Sequence, residues 1–279
     1  MSHQATLAST TPEAGPAVQV SVPPLPRRKL VRIYLLEAKY EMIKMLRMPS
    51  YLIPLFAFPL TFYAIFGVTM RHAAGAFDIS KYLLASYGAA GVMMAVLFGF
   101  GSQVAAERGQ GWMLFKRATP MPFSAYFTAK LASSLAFSAA VIAALFALAV
   151  GFAGVRLPAA TVAQLAGVLI AGSLPFAALG LAVGYCAGPN SAAPIINLLA
   201  LPMAFASGMW IPLEIMPSLV QNLAPYLPAY HYSQLALGVI GAGRGVPAVR
   251  SLAYLAAFGL LCLALARFGY RRDEGKTYG

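Results

Sequence analysis

Apolar positions dominate this chain in long blocks. Runs of about twenty apolar residues, interrupted by short stretches of charge, glycine and proline, occupy residues 50–70, 82–104, 130–152, 162–186, 191–209 and 249–267. Wound as helices, such runs match the apolar thickness of a bilayer. They are continuous rather than alternating, which favours helices over a barrel. A helix also satisfies its own backbone hydrogen bonds inside lipid, where water cannot. The pattern predicts an all-α integral membrane protein with six transmembrane helices, the first bent by Pro54 and Pro59.

Two segments depart from it. In residues 27–48, Val31, Leu35, Ala38, Met42 and Met45 recur at helical spacing, bordered by Tyr34 and Leu46. Arg32, Glu37, Lys39, Glu41, Lys44 and Arg47 fall outside that arc, although Ile33 and Leu36 blur it. This predicts an N-terminal amphipathic helix in the membrane interface, its cations among anionic headgroups. A charged lead-in to the first span is the plainer alternative; persistence of the pattern over several turns favours the helix. Between the last two spans, Pro212, Pro217, Pro225 and Pro228 exclude one straight helix. Short broken helices dipping in from one side fit better, since irregular backbone at that depth must be covered by protein.

Composition sharpens the class. Of 279 residues, 60% are hydrophobic and only 10% charged, with a mean hydropathy of +0.73. The net charge of +12 does not indicate nucleic acid, because the basic residues flank the spans. Seven precede the first span, four follow the second (Arg108, Lys116, Arg117 and Lys130) and four follow the last. Arg71, Lys81, Arg156, Arg244 and Arg250 fall on the other side. This asymmetry predicts cytoplasmic termini, which an even number of spans satisfies. Residues 1–26 read as a disordered tail without signal-peptide features, and 269–279 as a second tail. Cys186 and Cys262 read as small hydrophobes, and His3, His72 and His231 form no ligand cluster.

The spans show no ionisable residue at mid-membrane, which weakens an ion-coupled carrier. Thr61, Ser133, Ser134, Ser138, Gln164 and Asn197 read as helix-to-helix hydrogen-bonding groups. No G-x-x-x-x-G-K-[ST] phosphate loop occurs, so a motor driven by ATP has to be a separate chain. His72 and His231 fall in predicted outer loops with no Ser-Asp partners, and no catalytic site is predicted.

Two segments carry a resemblance: ERGQGWMLFKRATPMPFSAYFTAKL, from Glu107, and SGMWIPLEIMPSLVQNLAPYLPAYHYSQLALGV, from Ser207. With the six spans and the basic start, they resemble the permeases of ABC-2 type transporters (type V exporter-like), over roughly residues 27–272. The resemblance implies a six-span domain over 49–268. It also implies a coupling loop at 105–125 that docks on the ATPase, through Glu107, Arg108, Gly109, Gly111, Leu114, Lys116, Arg117 and Pro120. Gly111–Trp112 departs from the family's frequent Gly-Thr. A re-entrant helical hairpin at 208–240 is implied to close the outer side, shaped by Ser207, Gly208, Pro212, Glu214, Pro217, Pro225 and Tyr230, with Trp210 and Tyr230 at the interface. Glu214 reads as solvated or paired with an outer arginine.

The partners so implied are an ABC ATPase bearing the phosphate loop together with ATP and Mg, a second copy of the chain, and membrane lipid, in a bacterial cytoplasmic membrane. The chain itself is expected to hold no cofactor. The cargo expected is drug-like, lipid or lipid-linked. A self-contained ion-coupled carrier and a non-transporting assembly factor remain the competing readings.

Overall fold

The computed structural model describes residues 26–70, 78–112 and 121–274. Its elements are α-helical throughout, with short 3₁₀ turns and one π-helical turn. Among the described residues, five helices are long and apolar enough to cross a membrane: Pro49–Val68, Ile79–Gly109, Ser124–Gly151, Ala159–Cys186 and Ala248–Arg272. The run expected at 191–209 differs. Its helix, Ala192–Ala206, has 15 residues and is about 22 Å long, short of the roughly 30 Å apolar core.

We number the helices α1 (Arg27–Leu46), α2 (Pro49–Phe62, running on into the π-helical turn Tyr63–Val68), α3 (Ile79–Gly109), α4 (Phe123–Gly151), α5 (Ala159–Gly172), α6 (Leu174–Cys186), α7 (Ala192–Ala206), α8 (Ser218–Leu223), α9 (Pro228–Val239) and α10 (Ala248–Glu274). The expected fourth span is the pair α5–α6. Pro175, at the second position of α6, has no N–H to offer the carbonyl of Ala171, and the Ser173 hydroxyl donates to the Ile170 carbonyl (2.7 Å).

α3 is the axis of the bundle: nearly its whole length is buried, and α2, α4, α6, α7 and α9 pack around it. Such central placement requires small residues. At its crossing with α6, a Cβ on Gly180 would lie 2.9 Å from the Leu97 carbonyl oxygen, and one on Gly184 would lie 3.1 Å from that of Gly101. Gly180 and Gly184, four residues apart, let the two backbones touch, as small residues do between membrane helices. The outer helices behave oppositely. In α10, Ser251, Leu255, Cys262 and Ala266 face inward, while Leu252, Leu260, Leu261 and Leu263 are exposed. In α7, Leu198 is exposed while Ile196 and Ala200 are buried.

α1 corrects the expected arc. It packs on α4, and its inward face carries Tyr34, Glu41 and Met45, whereas Val31, Leu35 and Leu36 point outward. Glu41, read from the sequence as polar-side, is only 5% exposed. Its burial follows from a partner that arrives 89 residues later in the chain.

Candidate functional site

α3 rises about 45 Å over its 31 residues, so its two ends define two distant sites. At its C-terminal end, four charged side chains from three helices close a ring. Lys130 of α4 (1% exposed) reaches Glu41 of α1 at 2.8 Å and Glu107 of α3 at 3.0 Å. Lys44 of α1 contacts the same two carboxylates, Glu41 at 3.3 Å and Glu107 more closely. Tyr126 donates its hydroxyl to the second oxygen of Glu107 (2.6 Å), and the Lys130 ammonium lies 5.1 Å from the Tyr126 ring centre. Two cations and two anions thus alternate, each with two neighbours of opposite sign. Burial pulls the Lys44 ammonium down, but Glu107 and Glu41 outweigh it and hold it above its ordinary value of 10.5.

The next residues fasten the same end. Arg108 donates from Nη1 to the carbonyls of Gly184 (2.6 Å) and Ala187 (3.4 Å), with its guanidinium over the Tyr185 ring. It thereby satisfies carbonyls at the C-terminus of α6, where a cation also complements the helix dipole. Gly109 lies so close to Pro189 that a Cβ would approach it to 2.6 Å. Gly111, at φ +74°, turns the chain outward in a conformation that suits glycine, and Trp112 stands 55% exposed. Of the expected docking set, then, Glu107, Arg108 and Gly109 contact their own chain. The cause is local: they belong to the last turn of α3, whose orphan groups and charges are met by neighbouring helices. Leu114, Lys116, Arg117 and Pro120 lie outside the described residues.

At the other end of α3, tyrosines hold irregular backbone. Tyr82 donates to the Gly208 carbonyl (2.9 Å) and Tyr87 to that of Trp210 (3.3 Å). Gly208 has φ +76°, and a Cβ there would lie 2.7 Å from Leu213 Cγ, so space and conformation both demand glycine. Pro212 and Pro217 precede the turn Leu213–Ile215 and α8, and Pro225 lies in the turn Ala224–Tyr226. Ser207 is buried. Glu214 is exposed and 3.5 Å from Arg244, a surface pair of small energetic weight. Trp210 and Tyr230 are 4% and 5% exposed; Phe58, Phe62, Tyr87 and Phe205 surround the indole.

α9 runs antiparallel to the start of α10. Tyr254 donates to the Tyr226 carbonyl (2.6 Å), and His231 lies against Ser251 and Tyr254. His231, placed by the sequence in an outer loop, is therefore buried in a helix. The Pro225 carbonyl can only accept, so Nε2 carries the proton (3.0 Å) and Nδ1 accepts from the Ser251 hydroxyl (3.2 Å). Burial lowers the imidazole pKa from its ordinary 6.5, the Pro225 bond raises it in part, and Arg250 lowers it further.

Between the two ends, α2, α3 and α7 line a partly open cavity of about 410 Å³, with Tyr51, Phe58, Met94, Phe98, Asn197 and Trp210 among its walls. Its lining is chiefly apolar, and the buried Trp210 Nε1 has no hydrogen-bond partner. Asn197, expected to bond across helices, lines this space. Ser138 likewise departs from expectation, bonding the Ser134 carbonyl of its own helix (2.8 Å).

These features define a multi-pass, all-helical membrane protein. A sequence profile described as "ABC-2 type transporter" matches residues 34–240, and the chain belongs to that family. It is also 27% identical over 235 residues to a protein of Bacillus subtilis (strain 168) named "Putative transport permease YvfS", covering 84% of this chain and 95% of the relative. The chain is a transport permease of the ABC-2 type.

The ring residues Glu41, Lys44, Tyr126 and Lys130 escaped the sequence reading. The available signal was slight: two carboxylates and two lysines set beside apolar runs, with nothing in their spacing to pair them.

Proposed function

We propose that this chain is the membrane-spanning subunit of an ATP-driven exporter. Two copies form the pathway, and a separate ATPase carrying the phosphate loop, ATP and Mg docks on the loop after α3. The carrying observation is the build of that end. Glu107, Arg108 and Gly109 tie α3 to α1, α4 and α6, and Gly111 then turns the chain out to an exposed Trp112. A push delivered at the loop enters the axial helix of the bundle through a fastened terminus.

Family membership supports the same reading, because the phosphate loop absent from this sequence has to be supplied elsewhere. Among the described residues, the buried Asp, Glu, Lys and Arg side chains are Glu41, Glu107 and Lys130, all in the ring. That placement argues against an ion-coupled carrier, whose charges would line a path. On this reading the ring end and both termini face the cytoplasm across a bacterial cytoplasmic membrane, an orientation the basic excess supports, and the elements 208–240 form a re-entrant outer gate. The predicted fifth span, which brings the number to six, is then α7 extended to Trp210, and the outward aliphatic and basic side chains of α1 rest among lipid headgroups. The cavity favours an apolar, drug-like or lipid-like cargo bearing an acceptor for the Trp210 indole.

Affinity purification of the tagged chain from native membranes, with mass spectrometry, tests this directly. A stoichiometric ATPase with a phosphate loop is expected, and it should be lost on Trp112→Glu. A clean homo-oligomer without ATPase, even after crosslinking, would overturn the proposal.

A further inference from the structure

The ring at the end of α3 divides in a particular way. Its α1 side contributes Glu41 and Lys44, which contact each other at 3.3 Å within one helix. Its other side contributes Glu107 of α3 and Lys130 of α4, in contact at 3.0 Å, with Tyr126 on the second Glu107 oxygen. Each half is neutral and internally paired. The contacts that join the halves are Glu41–Lys130 and Lys44–Glu107.

We propose that these four residues are positioning residues that seat α1 on α3 and α4 as a separable joint, so that α1 detaches and reseats during the transport cycle. Stranding a single buried charge is strongly unfavourable, because its desolvation is then uncompensated. This ring breaks along the α1 seam without stranding one. Other features on the seam agree. Tyr34 and Ser124 share a hydrogen bond (2.6 Å) at its exposed edge, replaceable by water. Lys44, the one ring member more than a third exposed, sits at the rim. By contrast, α3 meets α6 through glycines in backbone contact, a junction that cannot open without losing close packing. The seam involving α1 is therefore the one built to move, and α3, α4 and α6 move as one body.

The separable joint has signed consequences. Removing the Glu107 charge leaves Lys130 dependent on Glu41, so Glu107→Gln should hold α1 closed. Neutralising Lys130 as well makes that half neutral again and should release it. Lys44→Gln leaves two carboxylates sharing Lys130 and should favour opening. A purely structural ring predicts otherwise: both single changes would loosen the seam, and the double change would loosen it at least as much.

The test is a spin–spin distance measurement between nitroxides at Lys39→Cys on α1 and Thr128→Cys on α4, with Cys186 and Cys262 replaced by serine, in lipid nanodiscs. The full chain is read alone and with its ATPase trapped by vanadate. A longer-distance population should appear in the trapped complex, fall by about tenfold in Glu107→Gln and recover in Glu107→Gln/Lys130→Gln. Lys44→Gln should raise it even in the chain alone. An unchanged distance in a complex that demonstrably assembles, or a Glu107→Gln chain that opens more, would overturn the separable joint. This inference rests on the exporter reading for its place in a cycle. Failure of any ATPase to bind would sink that reading, while the variant series on the chain alone still decides whether α1 parts from the bundle as described.

Discussion

The two ends of α3 are held by different chemistry. At the Glu107 end, charged side chains from α1, α3 and α4 neutralise one another. At the Trp210 end the recurring device is neutral, a tyrosine hydroxyl donating to a backbone carbonyl: Tyr82 to Gly208, Tyr87 to Trp210, Tyr254 to Tyr226. The difference tracks the backbone. Regular helices meet at the first end with their carbonyls mostly spent, apart from those closing α6 that Arg108 satisfies, so the remaining charged side chains satisfy each other. Around residues 207–227 the helices break repeatedly, leaving carbonyls that need donors, and tyrosine brings one on an apolar ring. Charges suit a seam that exchanges partners, whereas neutral bonds to fixed carbonyls suit one geometry.

The largest test of this contrast is Lys130→Met. It strands Glu107 and Glu41 with only the half-exposed Lys44 between them, and should cost about 3–5 kcal/mol of stability in denaturant titration. Lys130→Met/Glu107→Gln should recover more than half of that; a single-variant loss below about 1 kcal/mol would show the ring to be energetically idle. Next comes Gly208→Ala, which forces a Cβ into both a left-handed conformation and the space of Leu213. A loss of about 1–3 kcal/mol is expected, confined to the 207–227 region by hydrogen exchange.

Tyr82→Phe should cost about 1–2 kcal/mol, the price of one buried carbonyl left unpaired, without altering α1. Equal loosening of the Lys130 end would erase the distinction between the two sites. The smallest effect is on pH. The His231 pKa is lowered in the folded protein, so its contribution is complete above the ordinary imidazole value of 6.5 and is lost as pH falls through the lower folded value. Protease sensitivity near Tyr226 should rise with acidification and become pH-independent in His231→Gln, while the Lys130 end stays unchanged over the same range.

Much of the membrane architecture was legible in advance. The runs at 50–70, 82–104, 130–152, 162–186 and 249–267 each coincide with a long apolar helix, because burial in lipid demands local apolarity that any window of sequence exposes. The prolines after residue 211 announced broken backbone for an equally local reason. The break at Ser173 was missed although Pro175 was visible, since hydropathy alone does not register a lost hydrogen bond. Glu107 and Arg108 carried a family resemblance toward an outside partner; what the resemblance did not reveal is their contacts within the chain, with Lys130, Lys44, Tyr126 and the end of α6.

What the sequence determined by itself is how far the chain lies in apolar surroundings and where its helices fail, properties fixed by neighbours within a few residues. Tertiary structure alone decided which charges meet. Glu41 and Lys130 stand 89 residues apart, and Lys44 and Glu107 stand 63 apart. A carboxylate reads the same in sequence whether water or a buried ammonium answers it. Only the packing of α1, α3 and α4 removes the water and leaves each charge the other as partner.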